Sequence, residues 1–264
     1  MIGINGGLVG KNRTTSLAAA VGVWTLDEQI KARRDLLWPL PLIFDPFYSS
    51  VSLLLHGDGA NGSTTFTNNS PSPKTVASNT GNIISTAQSQ FGGASIFANS
   101  TYMTYSANTA FELSNGDFTI ECWYRGTGGN TFSAIVSKGS TGTVTGSYAL
   151  HFRSGSNLLG FYLGNADNNV ITSTTNIKTS GVWNHVAVSR VGNSTKLFIN
   201  GTQEGITYTT PYTIATGGAF NVGALFFSLS GETIIGYIDD LRLTKGVGRY
   251  TANFTPPTLP FPNQ

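Results

Sequence analysis

Residues 181–201, GVWNHVAVSRVGNSTKLFING, leave the chain little freedom in its choice of local structure. Val182, Asn184, Val186 and Val188 alternate with Trp183, His185, Ala187 and Ser189, the period of two that sends successive side chains to opposite faces of a pleated strand. Val191-Gly192-Asn193-Ser194 then supplies residues that accept positive φ or bond their own backbone. Lys196-Leu197-Phe198-Ile199 runs back as a second strand and ends at another turn signal, Asn200-Gly201. The stretch predicts a β-hairpin.

The same pattern recurs along the chain. Residues 51–56 read as a nearly continuous apolar strand that breaks at Gly57-Asp58-Gly59, and the Ser/Thr/Asn/Pro-rich stretch up to Pro73 reads as a long loop. Further strands are expected at 95–97, 102–105, 118–124, 134–138, 147–153, 158–163, 220–222 and 234–243, separated by Gly, Asn and Ser turns. No helical period of comparable length lies between them, which argues against a parallel α/β sheet. Two antiparallel sheets packed face to face are the natural solution.

Composition agrees with that reading. Charged residues make up 11% of the 264, against roughly 25% in ordinary globular proteins. A net charge of +2 implies neither nucleic acid nor an anionic membrane as partner. Cys122 is the sole cysteine, so an intramolecular disulfide is excluded, and its place beside Phe118 and Ile120 on one strand face makes it a small core residue. No apolar run approaches the roughly 18 residues needed to span a bilayer.

The N-terminal region differs. Residues 1–22 are rich in Gly, Ala and Ser without a sustained period, and are expected to be extended or disordered unless a partner holds them. Thr25-Leu26-Asp27-Glu28 forms a capping box, opening a short helix over about residues 25–38 that ends at Trp38-Pro39. Leu26, Ile30, Arg33 and Leu37 share one helix face. A helix this short is marginal alone in water and needs a surface: the sandwich, a copy of itself or another protein. The division expected is therefore an arm at 1–48 and a sandwich at 49–264.

Five stretches, SLLLHGDG, FGGASIF, DFTIECW, GVWNHVAVSR with LFING, and GYIDDLRLTKGVGRYTANFTPP, occur in the order used by laminin G-like domains, and the region from Ser52 to Pro262 resembles that family. The resemblance implies an all-β, two-sheet antiparallel jelly-roll sandwich of the concanavalin A-like class. That class includes many lectins and non-catalytic domains of secreted and viral proteins. The segment from Gly7 to Pro39, GLVGKNRTTS followed by GVWTLDEQIKARRDLLWP, is similar to the leader at the front of structural proteins of tailed bacteriophages. That similarity implies a virion protein displayed on the outer surface of capsid or tail, anchored to other virion proteins through Trp24, Leu26, Ile30, Arg33, Arg34, Leu37 and Trp38. The apolar stripe of the arm also makes a homo-oligomer attractive.

Chemistry is sparse. The E-x-D-x-x-E strand motif of jelly-roll glucanases is absent. Asp117 and Glu121, four residues apart on a strand, would stand about 13 Å from each other, too far for paired-carboxylate hydrolysis, and Asp239 and Asp240 are expected on opposite faces. His56, His151 and His185 have no nucleophile-elbow sequence near them, and His185 reads as a packed structural histidine. The expectation is no enzymatic activity. Calcium is the one ion with support: Asp58, between glycines, can offer carboxylate and carbonyl oxygens. The resemblance places Asp239 or Asp240 beside Asp58 if the first and last strands pair. For sugar, an aromatic surface with amide and hydroxyl groups is available in Tyr148, Arg153, Tyr162, Asn165, Asp167 and Asn168. Host-surface glycan adhesion by a fibre- or spike-type protein is the leading function, and particle decoration without sugar binding is the alternative.

Overall fold

Fifteen strands form among the described residues of the computed structural model, which are 44–140, 143–153, 156–164, 169–214 and 217–264. The expected helix at 25–38, the proposed anchor residues Trp24, Leu26, Ile30, Arg33, Arg34, Leu37 and Trp38, and the sugar candidates Asn165, Asp167 and Asn168 lie outside them. In chain order the strands are β1 (Val51–Leu55), β2 (Ser78–Asn79), β3 (Ile83–Ser85), β4 (Ser95–Asn99), β5 (Met103–Tyr105), β6 (Phe118–Gly129), β7 (Ser133–Ser140), β8 (Thr143–Phe152), β9 (Leu158–Leu163), β10 (Asn169–Asn176), β11 (Asn184–Val191), β12 (Ser194–Ile199), β13 (Thr202–Tyr208), β14 (Ala219–Val222) and β15 (Ile234–Lys245).

They make two antiparallel sheets, an eight-stranded one in the order β13-β12-β11-β6-β15-β4-β3 with β1 also paired to β15, and a seven-stranded one in the order β10-β9-β8-β7-β14-β5-β2. The jelly-roll sandwich expected from the alternation is the fold observed. Its core interleaves Ile120, Cys122, Tyr124, Val186, Val188 and Ile238 of one sheet with Tyr148, Leu150, Phe161, Phe220 and Val222 of the other, burial that supplies the main folding force in a chain without a disulfide. The hairpin at 181–201 is β11 and β12, with Val191 paired to Ser194 across Gly192 at φ +58°. β11 is buried on both faces.

β15 organises the larger sheet. One edge pairs with β6 along nearly its whole length, and the other edge is shared end to end by β4, against Ile235–Ile238, and β1, against Leu241–Thr244. The expected pairing of first and last strands is therefore present.

Residues 246–264 fold back over the outer face of this sheet as a strap. Arg249 N–H donates to Thr119 Oγ1 (2.8 Å), Tyr250 N–H to Ser189 Oγ (3.1 Å), and Phe254 N–H to the Gly201 carbonyl (2.9 Å). A Cβ at Gly201, φ +76°, would overlap that Phe254 carbonyl, so the Asn-Gly turn also seats the strap. Beneath it lies a closed ionic network. Arg242 donates to Glu121 Oε1 (2.8 and 3.0 Å) and to Asp45 Oδ2 (3.1 Å); Arg249 donates to both oxygens of Asp45 (2.9 and 2.7 Å); and Tyr250 donates its hydroxyl to Glu121 Oε2 (2.7 Å). His185 is fully buried with Nε2 3.3 Å from Glu121, ringed by Trp123, Tyr250, Phe254 and Phe261, the structural histidine expected from its strand.

Candidate functional site

The strap covers the C-terminal half of β15, and just before it the strand changes step. Ile238 and Leu241 both face the core, although they are three positions apart, so β15 accommodates one extra residue. The register against β6 shifts between Asp239 and Arg242, and Asp240 takes φ +49°, a conformation that Asp tolerates better than most residues. The bulge carries Asp239 and Asp240 out on the same side of the sheet. This corrects the expectation that they point to opposite faces, which followed from strict alternation.

Both carboxylates open into the gap where β1 ends and β4 begins. Asp240 engages His56 Nδ1 through Oδ1 and accepts the Phe261 N–H of the strap through Oδ2 (2.7 Å). Asp239 Oδ2 accepts the N–H groups of Gln90 (2.7 Å) and Phe91 (3.1 Å), while its Oδ1 is buried without a hydrogen-bond partner among the described residues. Asp58 reaches in from the turn after β1. Its carboxylate rests against Gly92, φ +61°, where any Cβ would overlap it. The Gln90-Phe91-Gly92 stretch is thus a cover for this corner, the N–H groups of Gln90 and Phe91 serving Asp239 and Gly92 making room for Asp58.

The electrostatics are one-sided. Burial, with Asp240 and Asp58 adding repulsion, pushes Asp239 up to about 7 despite the two N–H donors. Burial also raises Asp58, with Asp240 adding and His56 opposing. For His56, burial opposes the imidazolium, but the hydrogen bond and charge of Asp240, with Asp58 and Asp239, hold it above its ordinary value. Three carboxylates therefore face one imidazole. The donor chemistry suits a hard divalent cation, with Asp58 and Asp239 as the available oxygens. Among the described residues, no three His, Cys, Asp or Glu side chains are arranged to hold a metal ion, so such an ion would draw further oxygens from the backbone.

The sugar candidates separate in space. Tyr148 is a core residue, fully buried, donating its hydroxyl to the Phe111 carbonyl (3.1 Å). It cannot touch a ligand at the surface, because Tyr148, Leu150 and Phe152 alternate toward the interior. Tyr162 leaves the opposite face, from between the inward Phe161 and Leu163, and stays partly exposed on the outer side of the seven-stranded sheet. There it meets His151 edge-on with ring centroids 6.0 Å apart and packs on Phe226 at the same distance. Phe226 belongs to a loop that lies over this sheet, covering Ala134 and Ala149. Arg153 is exposed just beyond β8. Further along the row, Thr104 donates to Asn221 Oδ1 (2.9 Å) and Ser137 to the Ala224 carbonyl (2.7 Å). His151 and Phe226 were not singled out from the sequence as sugar candidates, though His151 sits at a period-two position outward of Leu150 and Phe152 that could have marked it.

The profile of the concanavalin A-like lectin/glucanases superfamily, of laminin G type, matches residues 97–247, more than half of the 264-residue chain. No curated protein sequence matches. Among solved structures the chain is similar to the binding domain of Paraclostridial Mosquitocidal Protein 1, with TM-score 0.55 and 13% identity, covering 76% of this chain and 50% of that one. It is also similar to the receptor binding domain of botulinum neurotoxin D, with TM-score 0.53 and 11% identity, covering 76% and 51% respectively. A third is domain 4 of a GH43 extracellular arabinanase from Geobacillus stearothermophilus, in complex with arabinotriose, with TM-score 0.50 and 17% identity, covering 63% of this chain and 76% of that one. The chain spans about half the length of the two toxin chains, and at these identities the likeness is one of fold. Sheet order, strand register and profile agree, and this chain belongs to the concanavalin A-like lectin/glucanases superfamily as a laminin G-type sandwich.

Proposed function

We propose that the sandwich is a non-catalytic, lectin-like adhesion module that binds host-surface glycans for a tailed-phage virion, carried on the particle by residues 1–48. The observation that carries the glycan reading is the outer face of the seven-stranded sheet. There the partly exposed Tyr162 rests on the buried His151 and Phe226, with Arg153 exposed beyond β8, an apolar ring near a polar group, which suits a sugar. The neighbours lend support, since the two toxin domains are described as binding domains and the arabinanase domain as a complex with arabinotriose. The virion reading rests on the N-terminal segment, and many copies on one particle would turn weak single sites into avidity. The non-catalytic reading draws on Glu121, whose carboxylate is taken up by Arg242 and Tyr250 under the strap. Calcium at Asp58 and Asp239 would neutralise the acidic corner and fix the loops around it.

The full chain applied to a glycan array should retain a defined set of sugars, and Tyr162→Ala should lose them with its melting temperature unchanged. A blank array, with the full chain still binding particles stripped of it, would replace this reading with that of a decoration protein which stabilises the particle.

A further inference from the structure

The strap seals only part of the outer face of the eight-stranded sheet. Beyond it a transverse row crosses four strands in register: Ile83 on β3, Phe97 on β4, Tyr237 on β15 and Arg125 on β6. Each flanks an inward residue, Ile84, Ile96, Ile238 and Tyr124 respectively, so each leaves from the outer face, and all four remain partly exposed.

Phe97 and Tyr237 stack with ring centroids 4.7 Å apart and planes 30° from parallel. Rings on adjacent strands at that spacing stand upright and use one face on each other. On the other flank of Tyr237 stands Arg125, its register partner on β6. Past Arg125 the ladder between β11 and β6 ends, at Asn184 opposite Tyr124, and only the turn before β11 follows, its Gly181 N–H donating to the Gly126 carbonyl (3.0 Å). The result is a step, with two upright aromatic rings as its wall and the arginine at its foot. Neither the Arg125 guanidinium nor the Tyr237 hydroxyl has a hydrogen bond, ion pair or ring contact to another described residue. This sets the step apart from the rest of the face, where Arg242 and Arg249 are paired and Trp123 is covered by Phe91 and His185.

We infer that the step between Tyr237 and Arg125 is a second glycan site, on the opposite sheet from Tyr162, and that it takes a sugar bearing an acidic group, a carboxylate or a phosphate. This rests on the reading of the domain as a glycan binder. The C–H face of a sugar ring packs on the free face of Tyr237, the Tyr237 hydroxyl meets a sugar hydroxyl, and the Arg125 fork pairs with the anion. No acidic side chain occupies the row, so the anion meets no like charge within it.

The test is affinity electrophoresis of the full chain in gels containing polygalacturonate as the carboxylated probe or a phosphomannan as the phosphorylated one, with methyl-esterified polygalacturonate and dextran as neutral controls. One or both acidic polymers should retard the protein and the neutral ones should not. Arg125→Gln and Tyr237→Ala should each weaken retardation about tenfold, the size expected for one charge-assisted hydrogen bond or one stacked ring. Arg125→Lys and Tyr237→Phe should recover part of it, and unchanged melting temperatures would certify the fold. Tyr162→Ala should leave this retardation intact. Loss in Tyr162→Ala with none in Arg125→Gln or Tyr237→Ala would overturn the second site and leave the domain a glycan binder. Absence of retardation by both acidic polymers overturns it as well, and the glycan array then decides whether the broader reading survives.

Discussion

Two clusters of charged residues lie within a few positions of each other along β15, on the same face of the same sheet, and they behave in opposite ways. Under the strap, Glu121 and Asp45 meet Arg242 and Arg249, two carboxylates against two guanidinium groups. Burial alone would raise both acids, but the charges and hydrogen bonds of Arg242, His185 and Arg249 hold Glu121 well below the usual carboxylate range, and Arg249, the Phe47 N–H and Arg242 do the same for Asp45. At the bulge, burial shifts Asp239 upward and the more exposed Asp58 moves the same way, because the third carboxylate lends no positive charge and His56 is a single imidazole. Burial is common to both places. What differs is whether the fold brings its own counter-charge, and the cluster that does not is the one left with an unpartnered buried oxygen. The first cluster is balanced within the fold, and the second is not.

The largest effect that would break this comparison is at Glu121. Glu121→Gln keeps the shape and removes the charge, leaving Arg242 buried against an amide, and should destabilise the sandwich by about 3–5 kcal/mol. In a chain of this size that amounts to a melting-temperature drop on the order of 10 °C. A loss below about 1 kcal/mol would mean that the network contributes little beyond packing. Next comes acid. Glu121 and Asp45 have lower pKa values folded than unfolded, so the folded state binds fewer protons, and their contribution is present above the ordinary carboxylate range of about 4 and is lost as pH falls below it. Melting temperature against pH should therefore fall steeply below about pH 4, and Glu121→Gln should flatten that limb. An equal slope in the variant would show that other carboxylates govern acid unfolding.

Much of the first cluster's setting was legible in the sequence, and little of the second. The alternation around Val186 and Val188 identified β11, and the apolar run 158–163 coincides with β9, because a strand packed on a core declares its face every second residue. β10 and β13 went unseen. Both are edge strands, with Thr, Ser and Asn doing the pairing in one and Gly205 at φ +66° interrupting the other. Tyr148 was misplaced as a ligand contact although its inward partners Leu150 and Phe152 carried the signal. Asp239 and Asp240 could not be placed correctly by alternation at all, since the bulge that turns them to one side is set by β6 and by the two strands sharing the other edge of β15. Counter-charge is likewise invisible: Glu121 and Asp239 both sit in apolar strand sequence, and what distinguishes them is that the register sets Arg242 of β15 opposite Glu121, with Arg249 and Tyr250 of the strap beside it.

The sharpest use of the comparison is to make the same chemical change in the second cluster. Asp239→Asn swaps one carboxylate for an amide, as Glu121→Gln does, yet its sign should be reversed in metal-free protein. The amide oxygen can still accept the Gln90 and Phe91 N–H groups, while the amide nitrogen replaces the unpartnered oxygen and can donate toward the acids around it. In chelator at pH 8, Asp239→Asn should stabilise the chain by on the order of 1 kcal/mol. Calcium should then separate the two proteins: at a hundred times its Kd it would add about 2.7 kcal/mol to the wild type by mass action and little to Asp239→Asn, which lacks the carboxylate oxygen to receive it. Asp58→Asn should lose the calcium response in the same way. If calcium leaves the wild-type melting curve unmoved and Asp239→Asn is destabilising, the corner is a second structural network whose balance is struck by protons, with protonation of Asp239 removing one negative charge and a protonated His56 supplying the positive charge that arginines supply beneath the strap.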